Sequence, residues 1–272
     1  QMENTFRVRK DAAAWRERIG RLCAGNSRLM FAVACAFAGP LLRPASLESG
    51  GFHLRGDSSS GKTTALRILA TSLPPTSGRV RVAGFDTTTH SLDVRRRIGY
   101  LPENVPLYPD MRVDEFLSFR GRLRGLRGAK LAARLREVVE RCGLGDSSRR
   151  VIGTLSRGFR QRAGLADCLL HEPDVLLLDE PLAGLDPAQV RIVRELLQGL
   201  GAGRCVLFST HVLSEAEQLC HRVLILNAGR LAAADSPAQL VQAGAGGSFE
   251  DTFLRLTTLP PKVRNPKRRN GG

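Results

Sequence analysis

Aromatic residues are scarce in this 272-residue chain: one Trp, two Tyr and 11 Phe, 5% in all. A surface that stacks single-stranded bases interleaves aromatic with basic side chains, and no stretch here has that pattern. The six cysteines (Cys23, Cys35, Cys142, Cys168, Cys205 and Cys220) form no C-x-x-C pair and no zinc-like spacing. That argues against a structural zinc site or a disulfide framework and points to reduced thiols. No secretory signal pattern opens the sequence. The most apolar run, 29–42, spans about fourteen residues and is broken by Gly39-Pro40, which is short for a membrane span. Acidic residues are outnumbered, 26 to 41, leaving a net charge of +15. Such an excess suits nucleotide, nucleic acid or an acidic membrane face, and equally a solvated basic surface.

Against these absences, one stretch stands out. Gly56-Asp57-Ser58-Ser59-Ser60-Gly61-Lys62-Thr63-Thr64 fits a phosphate-binding loop: Gly, four free positions, then Gly-Lys-Ser/Thr. The glycines let backbone N–H groups turn towards phosphate oxygens. Lys62 can reach the β/γ-phosphates, and Thr63 can offer its hydroxyl to Mg²⁺. Residues 51–55 read as a short strand before the loop and 64–70 as an amphipathic helix after it. That helix points its positive end at the anion.

Further along, residues 113–142 read as two Arg-rich helices, and 175–178 and 205–208 as apolar strands of a parallel sheet. The first of these strands ends in Asp179 and Glu180. One acid can hold Mg²⁺ and the other can orient or deprotonate the attacking water. The next closes on His211, which places an imidazole at the same carboxyl edge, where ligands of open α/β sheets bind. Ser156 can cap a helix whose exposed N–H groups, with Gly158 and Gln161 in its first turns, form an anion site. Residues 223–226 and the turn after them read as a final hairpin. The segment 1–45 reads as helical, with a helix expected over 27–37.

Taken together, Thr76-Ser-Gly78 with Gly84, Ile98 to Asn104, Pro106 to Pro109, Leu155-Ser156-Arg157-Gly158, Asp179-Glu180-Pro181, Gly184-Leu185-Asp186-Pro187 and Ser209-Thr210-His211 resemble an ATP-binding subunit of the ABC transporter family. The resemblance runs from about residue 69 to 256 and is nearest to ABC-2-type exporters and gliding-motility-like systems. It implies an ATP- and Mg²⁺-dependent ATPase working as a homodimer or heterodimer beside a transmembrane permease subunit. Such a subunit would be cytoplasmic, peripheral at the inner face of the membrane. By the same resemblance Glu180 is the catalytic carboxylate and His211 the γ-phosphate sensor. Ser156 and Gly158 reach the partner's nucleotide, Asp186 sits at the dimer contact, and Glu103, in the usual glutamine position, contacts Mg²⁺ or water.

The implied fold is an α/β P-loop NTPase with a mostly parallel central sheet and an inserted helical subdomain at about 105–170. The ATPase domain would span 51–258, between a helical segment at 1–50 and a basic, disordered tail at 259–272. That helical segment stands where the family usually has an antiparallel β-subdomain. Residues 1–68 instead resemble an uncharacterised P-loop domain of phage- and plasmid-associated, helicase-like proteins, as if two families join near residues 65–73. Adenine recognition is left without an aromatic stacking residue of the usual kind. Two other functions stay open: a nucleic-acid-processing ATPase, and a nucleotide binder with impaired turnover.

Overall fold

The computed structural model describes residues 30–35, 41–42, 54–55, 60–76, 78–200, 204–227, 230–244 and 247–258. Its centre is a six-stranded sheet in the order β10-β9-β1-β8-β7-β6. The strands are β1 (Met30–Cys35), β6 (Ile98–Leu101), β7 (Val175–Asp179), β8 (Cys205–Thr210), β9 (Arg222–Asn227) and β10 (Arg230–Asp235). All neighbours are parallel except β9 and β10, which form the antiparallel hairpin expected from the sequence.

β7 and β8 read as continuous apolar runs because both faces of an interior parallel strand are covered. Leu176, Leu177, Leu178, Val206 and Phe208 are all buried. α1 (Ser60–Leu69) packs against β7 and β1. α5 (Arg157–Leu169) lies on β6, where Gly99 is needed for close approach: a Cβ there would stand 2.5 Å from the Cys168 carbonyl oxygen. With α3 (Val113–Leu123) and α4 (Gly128–Arg141), α5 makes up the helical part of the chain between β6 and β7. Arg120 fastens α3 to α5 through a two-pronged contact with Asp167, Nε to Oδ1 at 2.9 Å and a terminal nitrogen to Oδ2 at 2.8 Å.

One expectation is corrected. The helix over 27–37 is replaced, at 30–35, by β1, an interior strand between β8 and β9. A run such as Met-Phe-Ala-Val-Ala-Cys is apolar at every position, so periodicity cannot separate a buried helix from a strand covered on both faces. The short strand before the phosphate loop exists as β3 (Leu54–Arg55), but it pairs antiparallel with β2 (Leu41–Leu42) outside the main sheet. The expected helix around Trp15 and the tail after 258 lie outside the described residues. Residues 79–82 contribute β4 (Arg81–Val82), which turns directly into β5 (Phe85–Asp86).

Candidate functional site

The parallel register of β7 and β8 sets Asp179 directly beside Ser209. Both strands therefore release their next residues at one carboxyl edge: Glu180 from β7 and His211 from β8. Glu180 turns there with a left-handed backbone, φ +49°. Its N–H donates to Ser209 Oγ at 3.0 Å, and that hydroxyl donates to Asp179 Oδ1 at 2.6 Å. From the other side Lys62, near the start of α1, reaches Glu180 Oε1 with its Nζ at 2.9 Å. His211 Nδ1 lies 2.8 Å from Glu180 Oε2. Lys62 is buried, whereas the imidazole is 53% exposed. One carboxylate is thus shared between an ammonium and a histidine.

Asp179 is fully buried, and its Oδ2 has no hydrogen-bond partner among the described residues. A buried, unpaired carboxylate oxygen is costly unless something cationic or protic meets it. Its charge is felt nearby: burial first, and then Asp179, push the Tyr100 phenol up to about 12. Tyr100 is otherwise packed against the cluster of Leu66, Ile98 and Leu177. An orphaned carboxylate oxygen is a donor of the kind that fits Mg²⁺, and Thr63 is half-buried on α1. Among the described residues no cluster of three or more His, Cys, Asp and Glu side chains could hold a metal alone.

A second group forms around α5. Ser156 N-caps the helix with Oγ 3.5 Å from Phe159 N, and it is exposed. Asp186 caps α6 (Pro187–Leu200), accepting from Gln189 N at 2.9 Å, with Pro187 at the first helical position where its missing N–H costs nothing. Gln161, expected to serve nucleotide, is instead buried, and its Nε2 donates to the Pro181 carbonyl at 3.4 Å. Its amide fastens α5 to the loop after Glu180. Glu103 is exposed on the loop after β6. Gly56, Asp57, Ser58 and Ser59 lie outside the described residues, Ser60 and Gly61 open α1, and Thr64 is half-buried on it.

Sequence reading missed Ser209 as the clamp on both acids. The signal is the register, which aligns Ser209 with Asp179 and cannot be read from either strand alone. It also missed Glu215, a buried carboxylate on α7 (Leu213–Leu219) that accepts from Thr210 Oγ1 at 2.6 Å. Thr210 in turn accepts from Val212 N at 3.0 Å, so the backbone on both sides of His211 is pinned. Burial raises the Glu215 carboxyl above its ordinary value, and the Thr210 hydrogen bond opposes the rise.

Residues 48–183 match the family described as ABC transporter. The chain belongs to that family. It is 44% identical over 178 residues to the uncharacterised ABC transporter ATP-binding protein YxlF of Bacillus subtilis, covering 65% of this chain and 59% of that protein. It is 38% identical over 178 residues to the ATP-binding protein NatA of the same organism, covering 65% and 72%. The fold of this ABC family member is similar to a dimeric ATP-binding cassette solved in a post-hydrolysis state with ADP and Pi, with a TM-score of 0.63, 22% identity and coverage of 78% and 86%. Residues 1–76 also match a domain of unknown function, DUF927. The two matches overlap at 48–76, so the ABC likeness extends back through the phosphate loop rather than beginning near residue 69.

Proposed function

We propose that this ABC family member binds ATP with Mg²⁺ and hydrolyses it as the ATP-binding subunit of a transporter, in a dimer of two such domains. The observation that carries this is Glu180, held at the carboxyl edge between Lys62 and His211 with Asp179 alongside. Lys62 meets the β/γ-phosphates, and the first N–H groups of α1 face them. Asp179 and Thr63 would hold Mg²⁺, which would supply positive charge to the phosphate oxygens. Glu180 accepts a proton from the attacking water or orients it, and His211 donates to a γ-phosphate oxygen. Ser156 and Gly158 of one copy complete the site of the other, with Asp186 at the contact between them.

Because Glu180 and phosphate compete for the same ammonium, nucleotide entry draws Lys62 off the carboxylate. Among the described residues no helix is long and apolar enough to cross a membrane. A separate permease is assigned that task, with the loop bearing exposed Glu103 and Tyr108 turned towards it and the subunit seated on the cytoplasmic face.

The test is ATP turnover by the purified chain. Glu180→Gln is expected to lower turnover by about a hundredfold or more while ATP still binds. Lys62→Ala is expected to lose binding as well. Turnover unchanged in Glu180→Gln would sink the assignment.

A further inference from the structure

The signature residues sit on α5 and the dimer-contact Asp186 at the start of α6. One side chain outside every motif joins them. Gln189 lies in the first turn of α6, its own N–H bonded to Asp186 Oδ1 at 2.9 Å. Its side-chain amide is seated on Gly158: a Cβ placed on that glycine would overlap Gln189 Oε1. Gly158 is therefore glycine for a contact within its own chain as well as for approach to phosphate. Oε1 is buried there and accepts no hydrogen bond among the described residues. A thioether or aliphatic chain of the same bulk would avoid that desolvation, so the amide is not explained by packing alone.

Two further contacts flank this one. The Arg157 guanidinium covers Gly184, where a Cβ would come within 2.8 Å of Cζ, and the glycine has φ +70°. Gln161 Nε2 donates to the Pro181 carbonyl at 3.4 Å. Residues 157, 158 and 161 of α5 are thus all fastened to the segment 181–189 of the same chain.

We propose that Gln189 is a positioning residue that acts through Gly158. It fixes the first turn of α5 relative to Asp186, so that one chain presents Ser156 and Asp186 to a second copy as one rigid surface. The inference rests on the ATP-driven dimer proposed above. Its contacts described above go to Asp186 and Gly158, so its influence on nucleotide is assigned to the dimer.

The experiment uses the full chain carrying Glu180→Gln, so that ATP is not consumed, and follows ATP-driven dimerisation by sedimentation. Gln189→Ala is expected to weaken the dimer about tenfold, the size of a direct contact coupling. The affinity of the dilute monomer for ATP should stay within about twofold, because the contact lies away from Lys62. With Ser156→Ala added, Gln189→Ala should weaken the dimer by less than about twofold, since the residue it positions is gone. Should alanine unfold the start of α6, seen as early melting, Gln189→Glu keeps the length, puts a charge on Gly158 and reads the same cycle. Equal losses with and without Ser156 would overturn the inference and leave Gln189 as ordinary packing. A dimer that forms with ATP but ignores Gln189 overturns the inference alone. A Glu180→Gln chain that stays monomeric at saturating ATP overturns the proposed function and the inference with it.

Discussion

Removing Lys62 should cost stability, and removing Glu180 at the same time should restore part of it. The pair is close, 2.9 Å, and its side chains are only 8% and 13% exposed. At that distance and an effective dielectric near 20, the attraction is about 6 kcal/mol. Desolvation of both charges offsets most of it, leaving a coupling of about 1–3 kcal/mol. Lys62→Ala leaves the Glu180 carboxylate with His211 as its remaining side-chain partner, at an expected cost of about 2–3 kcal/mol. Glu180→Gln keeps the shape, and its amide oxygen can still accept from Lys62, so the cost falls to about 1–2 kcal/mol. The double variant strands neither charge and should lie about 1–3 kcal/mol above the sum of the singles. Urea unfolding of the four chains without nucleotide measures this. Raising salt to about 1 M should change the coupling little, because the pair is shielded from solvent. A coupling below about 0.5 kcal/mol, or of opposite sign, would refute the reasoning. The same competition makes a functional statement: Glu180→Gln should bind ATP about threefold to tenfold tighter, its lysine being freer to leave.

Two other tests concern the frame of the site. His171, whose Nε2 donates to the Ile98 carbonyl at 2.9 Å, has its pKa pushed down from 6.5 to about 4, first by burial and then by the Arg124 charge. The folded state thus prefers the neutral ring, so the stability it contributes is complete above 6.5 and is lost as pH falls from 6.5 towards 4. His171→Gln should remove a decline of up to about 3 kcal/mol over that window in pH-dependent unfolding. An equal decline in both chains would discount the histidine. A pair of glycines gives opposite signs for one substitution. Gly99→Ala drives a methyl to 2.5 Å from the Cys168 carbonyl and 2.8 Å from Leu176 Cδ2, and should destabilise by about 1–3 kcal/mol. Gly199→Ala, in α6 with no atom of the described residues within 4 Å of the added methyl, should stabilise by up to about 1 kcal/mol. Denaturation midpoints that move the same way in both would contradict the packing described here.

Much of the site was legible because its parts end apolar runs. Asp179 and Glu180 follow three buried leucines of β7, and His211 follows β8, so both fall where those strands must stop. Lys62 was legible from loop chemistry alone. What escaped reading depends on register or on contacts between elements distant in sequence. Ser209 matters because it faces Asp179 across two strands, and Gln189 because it meets Gly158 thirty-one positions earlier. Gln161 escaped for the opposite reason. A polar residue near the start of a phosphate-facing helix reads as a ligand contact, yet the fold buries it against Pro181. The N-terminal error has another origin, since a continuously apolar segment carries no period to decide its type. Only the gap between β8 and β9 makes residues 30–35 a strand.

The backbone of Glu180 shows why this edge is better described as preorganised than merely crowded. A left-handed conformation costs a non-glycine residue about 1–2 kcal/mol. Nothing in the local sequence Leu-Asp-Glu-Pro relieves that cost. Relief comes from elsewhere: Ser209 accepts from the Glu180 N–H, worth about 1 kcal/mol, and Lys62 contributes the coupling worked out above. The conformation therefore exists only while β8 and α1 are both docked on β7. In that conformation the Glu180 carboxylate reaches Lys62 and His211, while one buried oxygen of Asp179 has no hydrogen-bond partner among the described residues. With an extended backbone at Glu180, two adjacent acids would alternate to opposite faces of the sheet and could not share an edge. Strain held at this one residue is what sets the two acids apart: one keeps a buried oxygen without a described partner, the other is shared between Lys62 and His211.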